Sequence, residues 1–464
     1  METRMNVGTK IEHGGAHIEY DSLMNLDEGW VSRKVFYDRD IYEEEMRQIF
    51  ARVWLFVAHE SQIPNPGDFV TTYMGEDGVI VARQRDKSVG VFINSCPHRG
   101  NKVCHADGGN ARRFVCNYHG WAFDIGGNLM GMNAEEVYDP GDIDKSEWGM
   151  QPVAKVGVYK GLIFATFDPG APSLEDYLGD YRWYLDCILD SDEGGSELVG
   201  GTMKFMIPMN WKVAAENFVG DAYHAAWTHD SASKAMTGGM AFPPIDFENT
   251  FHSSANGHGL EFGLDGIGDI ALLGRPKVTE YFMDVLKPRM EKRLGALRSQ
   301  IFGSIASASV FPNLSYLPGI STFRTWLPKG PTMTEVRSWT IVNRDMPDDI
   351  KDEITKAVMQ TFGPSGTFEM DDGENWEHST ITNKGYVTRQ GRLHYGCGIS
   401  RKDDHAELPG IVHRGQFADS NQREFHRRWH DLMTAESWDD VPDRRSNRLK
   451  GRETRDLPQG LKSL

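Results

Sequence analysis

Cysteine is scarce in this chain of 464 residues, with five in all: Cys96, Cys104, Cys116, Cys187 and Cys397. They lack disulfide-like spacing, and the stretch from Met1 to Tyr20 is polar and charged where a secretory signal would be apolar. A reducing cytoplasm is the compartment expected. No apolar run approaches the ~18–20 residues needed to span a bilayer. Positive charge is also in deficit: 50 Lys and Arg stand against 67 Asp and Glu, a formal net charge of -17. That excludes nonspecific binding to nucleic acid or an anionic membrane, because both need a basic surface. Glycine is plentiful, yet no GxGxxG follows a strand pattern, so no nicotinamide or flavin site is expected. There is no internal repeat and no long low-complexity segment. The hydrophobic content of 39% and aromatic content of 11% can fill sizeable cores, and the length points to two domains or three.

Two of the few cysteines sit in short loops with histidines: Cys96-Pro97-His98-Arg99-Gly100 and Cys116-Asn117-Tyr118-His119-Gly120-Trp121. The pattern is CxH, seventeen residues, then CxxH, with a glycine soon after each histidine. Structural zinc sites usually take a CxxC pair from one segment and their other ligands from another. One Cys and one His per loop instead suits an asymmetric two-iron cluster, with thiolates on one iron and neutral imidazoles on the other. Cys96, His98, Cys116 and His119 are therefore candidate ligands of a Rieske [2Fe-2S] cluster.

Residues Asp40 to Arg52 carry a helical apolar stripe (Ile41, Met46, Ile49, Phe50). Beyond it, short β-rich runs alternate with turn signals as far as residue 167: Asp68–Met74, Val79–Arg83, Val89–Asn94 and Arg113–Cys116, then Gly161–Phe167. Each metal loop directly follows such a run. Pro169-Gly170-Ala171-Pro172 punctuates the chain, and Ser173 with Asp176 predicts a capped helix running to about Leu189. The remainder mixes strands (Thr202–Ile207, Ser309–Leu317, Thr334–Asn343) with helices (about Met209–Ala225, Lys277–Ile301, Asp348–Thr361, Asn421–Thr434). This is an α+β pattern with an antiparallel sheet, unlike the repeated β-α-β of a dinucleotide fold. The basic tail from Arg444 to Leu464 reads as a solvated or subunit-clasping extension.

A second constellation lies in Asn210–His229. If its first part is helical, Asn217, Asp221 and His224 share one face, a carboxylate one turn before an imidazole that it can orient. His224 and His229 are ~140° apart on a regular helix. For both to bind one ion, the helix must bend or end near Thr228. Two histidines and one carboxylate form the facial triad of a non-heme Fe(II) site. The carboxylate is expected from Glu369-Met370-Asp371-Asp372-Gly373-Glu374, whose four acids spacing alone does not separate.

From about Val31 to Trp438 the chain resembles the large (α) subunit of Rieske non-heme iron aromatic-ring-hydroxylating dioxygenases of the naphthalene and biphenyl/toluene type. The resemblance rests on the two cluster loops, on Asn210–His229, on Val310-Phe311-Pro312-Asn313, and on Phe362-Gly363-Pro364 running into Asp371-Asp372. It implies a β-rich Rieske domain (51–167) inserted in a helix-grip-like catalytic domain (1–50 and 168–464). It makes Asp372 the third iron ligand beside His224 and His229. It implies an α3 or, with a small β subunit, an α3β3 assembly, because cluster and mononuclear iron within one chain lie too far apart for fast electron transfer. Asp221 then bridges His119 of one chain to His224 of the next, with Asn217 beside it. Electrons come from a ferredoxin reduced by an NAD(P)H-dependent flavoprotein. Both atoms of O2 go to adjacent ring carbons, giving a cis-dihydrodiol.

The same match places Phe218, Ile305, Ser307, Leu317, Ile320, Phe362 and Phe368 in or beside the substrate cavity. They are mostly apolar, which favours a polycyclic hydrocarbon or a biphenyl-like ring over an aromatic acid, whose buried carboxylate would lack a partner. Arg324 is the one cation near these strands. Strand alternation puts it on the face opposite Phe323, and a structural salt bridge is expected there; if it points inward, phthalate-like or phenylpropionate-like acids return as candidates. Rival readings are a Rieske monooxygenase and, outside enzymes, a Rieske electron carrier or a zinc protein. A second domain of this size and a second histidine site speak against the carrier, and the interleaved Cys/His loops speak against zinc.

Overall fold

The computed structural model describes residues 18–236, 239, 250–264, 274–302, 305–400 and 407–444. The basic tail beyond Arg444 lies outside the described residues. None of the described helices is long and apolar enough to cross a membrane.

The β-rich part is built from three small antiparallel sheets. One has four strands in the order Val89–Ile93, Asp77–Arg83, Asp68–Met74, Gly108–Asn110. A second runs Leu129–Gly131, Ala122–Asp124, Arg113–Val115, and a third runs Lys155–Tyr159, Leu162–Thr166, Leu55–His59. Alternation along one strand joins this module to the rest of the protein. Val79 and Val81 enter the main core, whereas Ile80 and Ala82 enter a smaller core that holds Phe114, Trp121, Phe123 and both cluster cysteines.

The catalytic part is an eight-stranded antiparallel sheet. Its order is Ser196–Ile207, Thr334–Asn343, Thr322–Pro328, Leu314–Leu317, Ile305–Val310, His258–Gly263, Thr250–Ala255, Ile411–Arg414. The stretch expected as one strand over Ser309–Leu317 is a hairpin instead. Its turn holds a cis Phe311-Pro312 bond, because proline cannot donate to a central ladder and is driven into turns. Asn313 explains the rest of that motif. Its side chain accepts from Phe56 N and donates to Phe56 O, both at 3.0 Å, tying the sheet to the β-rich module.

Helix expectations fare unevenly. Ser173 caps its helix, accepting from Asp176 N at 3.0 Å, but that helix ends at Leu178 and a 3-10 turn separates it from a second, Arg182–Leu189; the helix Asp348–Thr361 has the expected bounds. The long helix expected over Lys277–Ile301 is broken at Gly295, whose φ of +88° ends one segment before Ala296–Phe302 begins. The helix expected over Met209–Ala225 stops at Phe218. One long helix, Thr367–Asn383, was not foreseen. Its buried face is Phe368, Glu369, Asp372, Trp376, Thr380 and Asn383, too polar to show as an apolar stripe.

Candidate metal centres

The two Cys/His loops are near copies of each other. Cys96 N donates to Asn101 O and Cys116 N to Trp121 O, both at 2.8 Å. Gly100 N returns to Cys96 O at 2.8 Å and Gly120 N to Cys116 O at 3.0 Å. Both glycines have positive φ, +74° and +73°, which is why the motif needs them there. The loops face each other, with the His98 and His119 rings 4.5 Å apart. Trp121 stacks flat on His98 at 4.9 Å. Burial raises the Cys116 thiol's pKa, but the N–H groups of Tyr118 and His119 and the Asn101 amide outweigh it and bring the net value below normal. His98 Nδ1 is buried without a hydrogen-bond partner. A sulfur primed as thiolate and an imidazole nitrogen left free suit a [2Fe-2S] cluster.

The second centre forms where the Asn210 helix fails. Asn210 caps that helix by accepting from Lys212 N at 3.1 Å. After Phe218 the chain turns through Gly220 (φ +137°) into a 3-10 turn, Ala222–His224, and a short helix, Ala225–Thr228. Asn217, Asp221 and His224 therefore do not meet on one helical face, as the spacing had suggested. They meet by chain reversal: Asn217 Nδ2 donates to Asp221 Oδ2 at 3.0 Å and lies 3.4 Å from His224 Nδ1. A Cβ at Gly220 would sit 2.7 Å from Asn421 Nδ2, so this turn has no room for a side chain.

The short helix ends at Thr228, and both imidazoles then face the Thr367–Asn383 helix. Asp372 Oδ1 lies 3.3 Å from His224 Nε2 and 3.2 Å from His229 Nε2. One atom from each of the three residues falls within 4.8 Å of the others, close enough to share one ion. The opposite ring nitrogens are already engaged. His224 Nδ1 contacts the Asp221 carbonyl oxygen, and His229 Nδ1 contacts Asp371 Oδ2 at 3.3 Å. Both Nε2 atoms are thereby left for a metal, the arrangement expected of ligating histidines. Burial opposes a charge on His224, yet Asp221 and Asp372 outweigh it and hold its pKa well above the imidazole norm. The same contacts outweigh burial at Asp372 and hold its carboxyl far below the carboxylate range. A cation is what this pocket accommodates. Asp371, one of the four acids that spacing alone does not separate, is the partner of His229.

Aromatic residues line the inner side. The Phe368 ring is 5.0 Å from that of His229, Phe362 is 5.5 Å from Phe368, and Phe218 packs on Trp326 at 5.5 Å and Trp376 at 6.1 Å. Ser307 and Leu317 are buried on adjacent strands, and Ile320 is buried in the 3-10 turn Pro318–Ile320 that follows. Ile305 opens its strand, and its side chain lies outside the described residues. Arg324 is fully buried and pairs with Glu369. Alternation does set it opposite Phe323, which packs on Tyr316, but that opposite face is the one turned to the site. Its guanidinium lies 4.5 Å from the Phe218 ring centroid and 5.3 Å from that of Phe362.

A Cys/His cluster module joined to a helix-borne two-histidine, one-carboxylate centre defines a Rieske-type oxygenase. Family comparison agrees in both halves: residues 53–140 match the Rieske [2Fe-2S] domain, and residues 174–435 match the ring hydroxylating alpha subunit catalytic domain. The chain is 39% identical to the benzene 1,2-dioxygenase subunit alpha of Pseudomonas putida, over 91% of this chain and 95% of that one. It is 40% identical to the biphenyl dioxygenase subunit alpha of Metapseudomonas furukawaii, over 90% and 93%. A naphthalene 1,2-dioxygenase with indole bound in its active site superposes with a TM-score of 0.85 at 35% identity, covering 91% and 97%. A quaternary ammonium Rieske monooxygenase shares the fold alone, at 19% identity and a TM-score of 0.66 over 90% of this chain and all of that one. The chain belongs to the α subunits of the aromatic-ring-hydroxylating dioxygenases, oxygenases with a Rieske cluster and a mononuclear Fe(II) site that draw electrons from partner proteins.

Proposed function

We propose that this α subunit cis-dihydroxylates an aromatic hydrocarbon, polycyclic or biphenyl-like, with His224, His229 and Asp372 as its mononuclear iron ligands and Cys96, His98, Cys116 and His119 holding the cluster. The observation that carries the site assignment is the convergence of two histidine Nε2 atoms on Asp372 Oδ1 at 3.3 and 3.2 Å. When bound, the iron supplies O2 activation and the cluster supplies electrons. The residues do the rest. The Asp221 carbonyl and the Asp371 carboxylate hold the imidazoles in the ligating tautomer, and Asn217 steadies Asp221. The aromatic wall of Phe218, Phe362 and Phe368 positions a flat ring and excludes water. Arg324, the cation beside this wall, already has its charge offset by Glu369, so a substrate carboxylate there would be a second anion on one cation. Burying it would cost about several kcal/mol, which supports the hydrocarbon over a phthalate-like acid.

The assembly is a head-to-tail ring of copies, α3 or α3β3. Asp221 Oδ1 is buried with no hydrogen-bond partner among the described residues, poised to accept from His119 of a neighbouring copy. Exposed apolar residues flank both centres: Tyr118 (60%), beside His119, in one set and Trp227 (87%), between His224 and His229, in the other. A heterologous interface would cover one set with the other. A ferredoxin and a flavoprotein reductase complete the electron supply. The test is product analysis with a ferredoxin and reductase, on a panel from benzene to four-ring hydrocarbons and aromatic acids. A cis-dihydrodiol from a hydrocarbon is expected, and turnover of the acids alone would overturn the substrate assignment.

A further inference from the structure

Glu369 and Asp372 lie one helical turn apart on the buried face of the Thr367–Asn383 helix, 2% and 3% exposed. Two carboxylates therefore face the histidines, while one completes the triad proposed above. The other acids of the segment are not rivals, since Asp371 engages His229 Nδ1 and Glu374 is exposed. Glu369 is the rival: it sits on the same buried face one turn before Asp372, next to Phe368, whose ring lies 5.0 Å from that of His229.

Among the described residues Arg324 is its single hydrogen-bond anchor. Nη1 of Arg324 bonds Glu369 Oε2, while Glu369 Oε1 and the Nε and Nη2 atoms of Arg324 are buried without hydrogen-bond partners. Arg324 itself is fixed. It stands in the central strand Thr322–Pro328, between Ser315 and Ser338, and its guanidinium lies against Phe218 and Phe362. A rigid cation thus draws one acid toward the sheet while its neighbour one turn on meets the histidines.

We infer that Arg324 is a positioning residue that selects the iron ligand: by holding Glu369 against the sheet it keeps a second carboxylate off the metal and leaves open positions for O2. This rests on the ligand assignment above. Without Arg324, an unpaired buried carboxylate gains most by turning to the nearest cation, which in the loaded enzyme is the iron.

The test uses oxygenase with its cluster intact, comparing wild type, Arg324→Met, the double variant Arg324→Met with Glu369→Leu, and His224→Ala. The readouts are mononuclear Fe(II) affinity, by competition with a chelator, and the EPR signal of the nitric oxide adduct, which needs an open iron position. Arg324→Met should bind iron as tightly as wild type or tighter yet lose most of the nitric oxide signal, and the added Glu369→Leu should restore it. A wild-type signal in Arg324→Met overturns the inference. So does an affinity about 10-fold weaker, the effect expected when an ordinary supporting contact to a ligand is lost. Arg324→Gln makes the same comparison if Arg324→Met does not fold. Failure of the ligand assignment is distinguishable: His224→Ala would then bind iron like wild type.

Discussion

The two candidate metal centres of this chain are built in opposite ways. The cluster site comes from two short loops twenty residues apart, each closed by the same pair of backbone hydrogen bonds and the same positive-φ glycine. The mononuclear site comes from a broken helix around residues 217–229 and a second helix some 140 residues later, placed by a sheet whose strands are scattered between them. A local site is robust to changes elsewhere. A composite one depends on every element that aligns it, and each alteration below separates the two.

The largest effect is expected from His224→Ala, which should remove the mononuclear iron and abolish turnover while leaving the Rieske EPR signal unchanged. Metal analysis reads this directly as a fall from three irons per chain to two. Loss of the cluster signal as well would mean that the centres are not separable. Next comes Asp221→Ala. Both metals should remain, yet most turnover should be lost, because the proposed path from His119 of a neighbouring copy is cut. Normal turnover would refute the bridging role. The smallest of the three is Gly220→Ala. Its Cβ would collide with Asn421 Nδ2 at 2.7 Å in a backbone conformation unfavourable to alanine, costing more than about 1 kcal/mol. Thermal melting should drop by a few degrees, and mononuclear iron affinity should weaken with no change in the cluster potential. Equal damage at both centres would erase the contrast.

The cluster loops were legible because their chemistry and geometry lie in the same few residues. CxH and CxxH with a following glycine states the ligands, the turn and the spacing together. Most strands of the β-rich module were readable for the same reason, their alternation being local. The catalytic centre was legible in composition and not in shape. His224, His229 and the acidic segment stand out, but the regular helix that spacing suggests over Met209–Ala225 does not exist. It ends at Phe218 because Gly220 turns the chain, and Asn421 and His252, from distant elements, fill the space beside that turn. The helix carrying Asp372 was invisible because its buried face mixes Glu369, Asp372, Thr380 and Asn383 with Phe368 and Trp376, which leaves no apolar stripe. Arg324 shows the remaining gap. Alternation put it opposite Phe323, but which face of the sheet meets the site depends on what packs there.

By itself, then, the sequence determined the cluster, the kinds of ligand at the second centre and the family, since these rest on residue chemistry and short spacings. The tertiary structure alone decided which acid pairs with Arg324, and how Asn217, Asp221 and His224 come together. Those outcomes depend on contacts between elements far apart in the chain, where direction is set by packing and no local period records it.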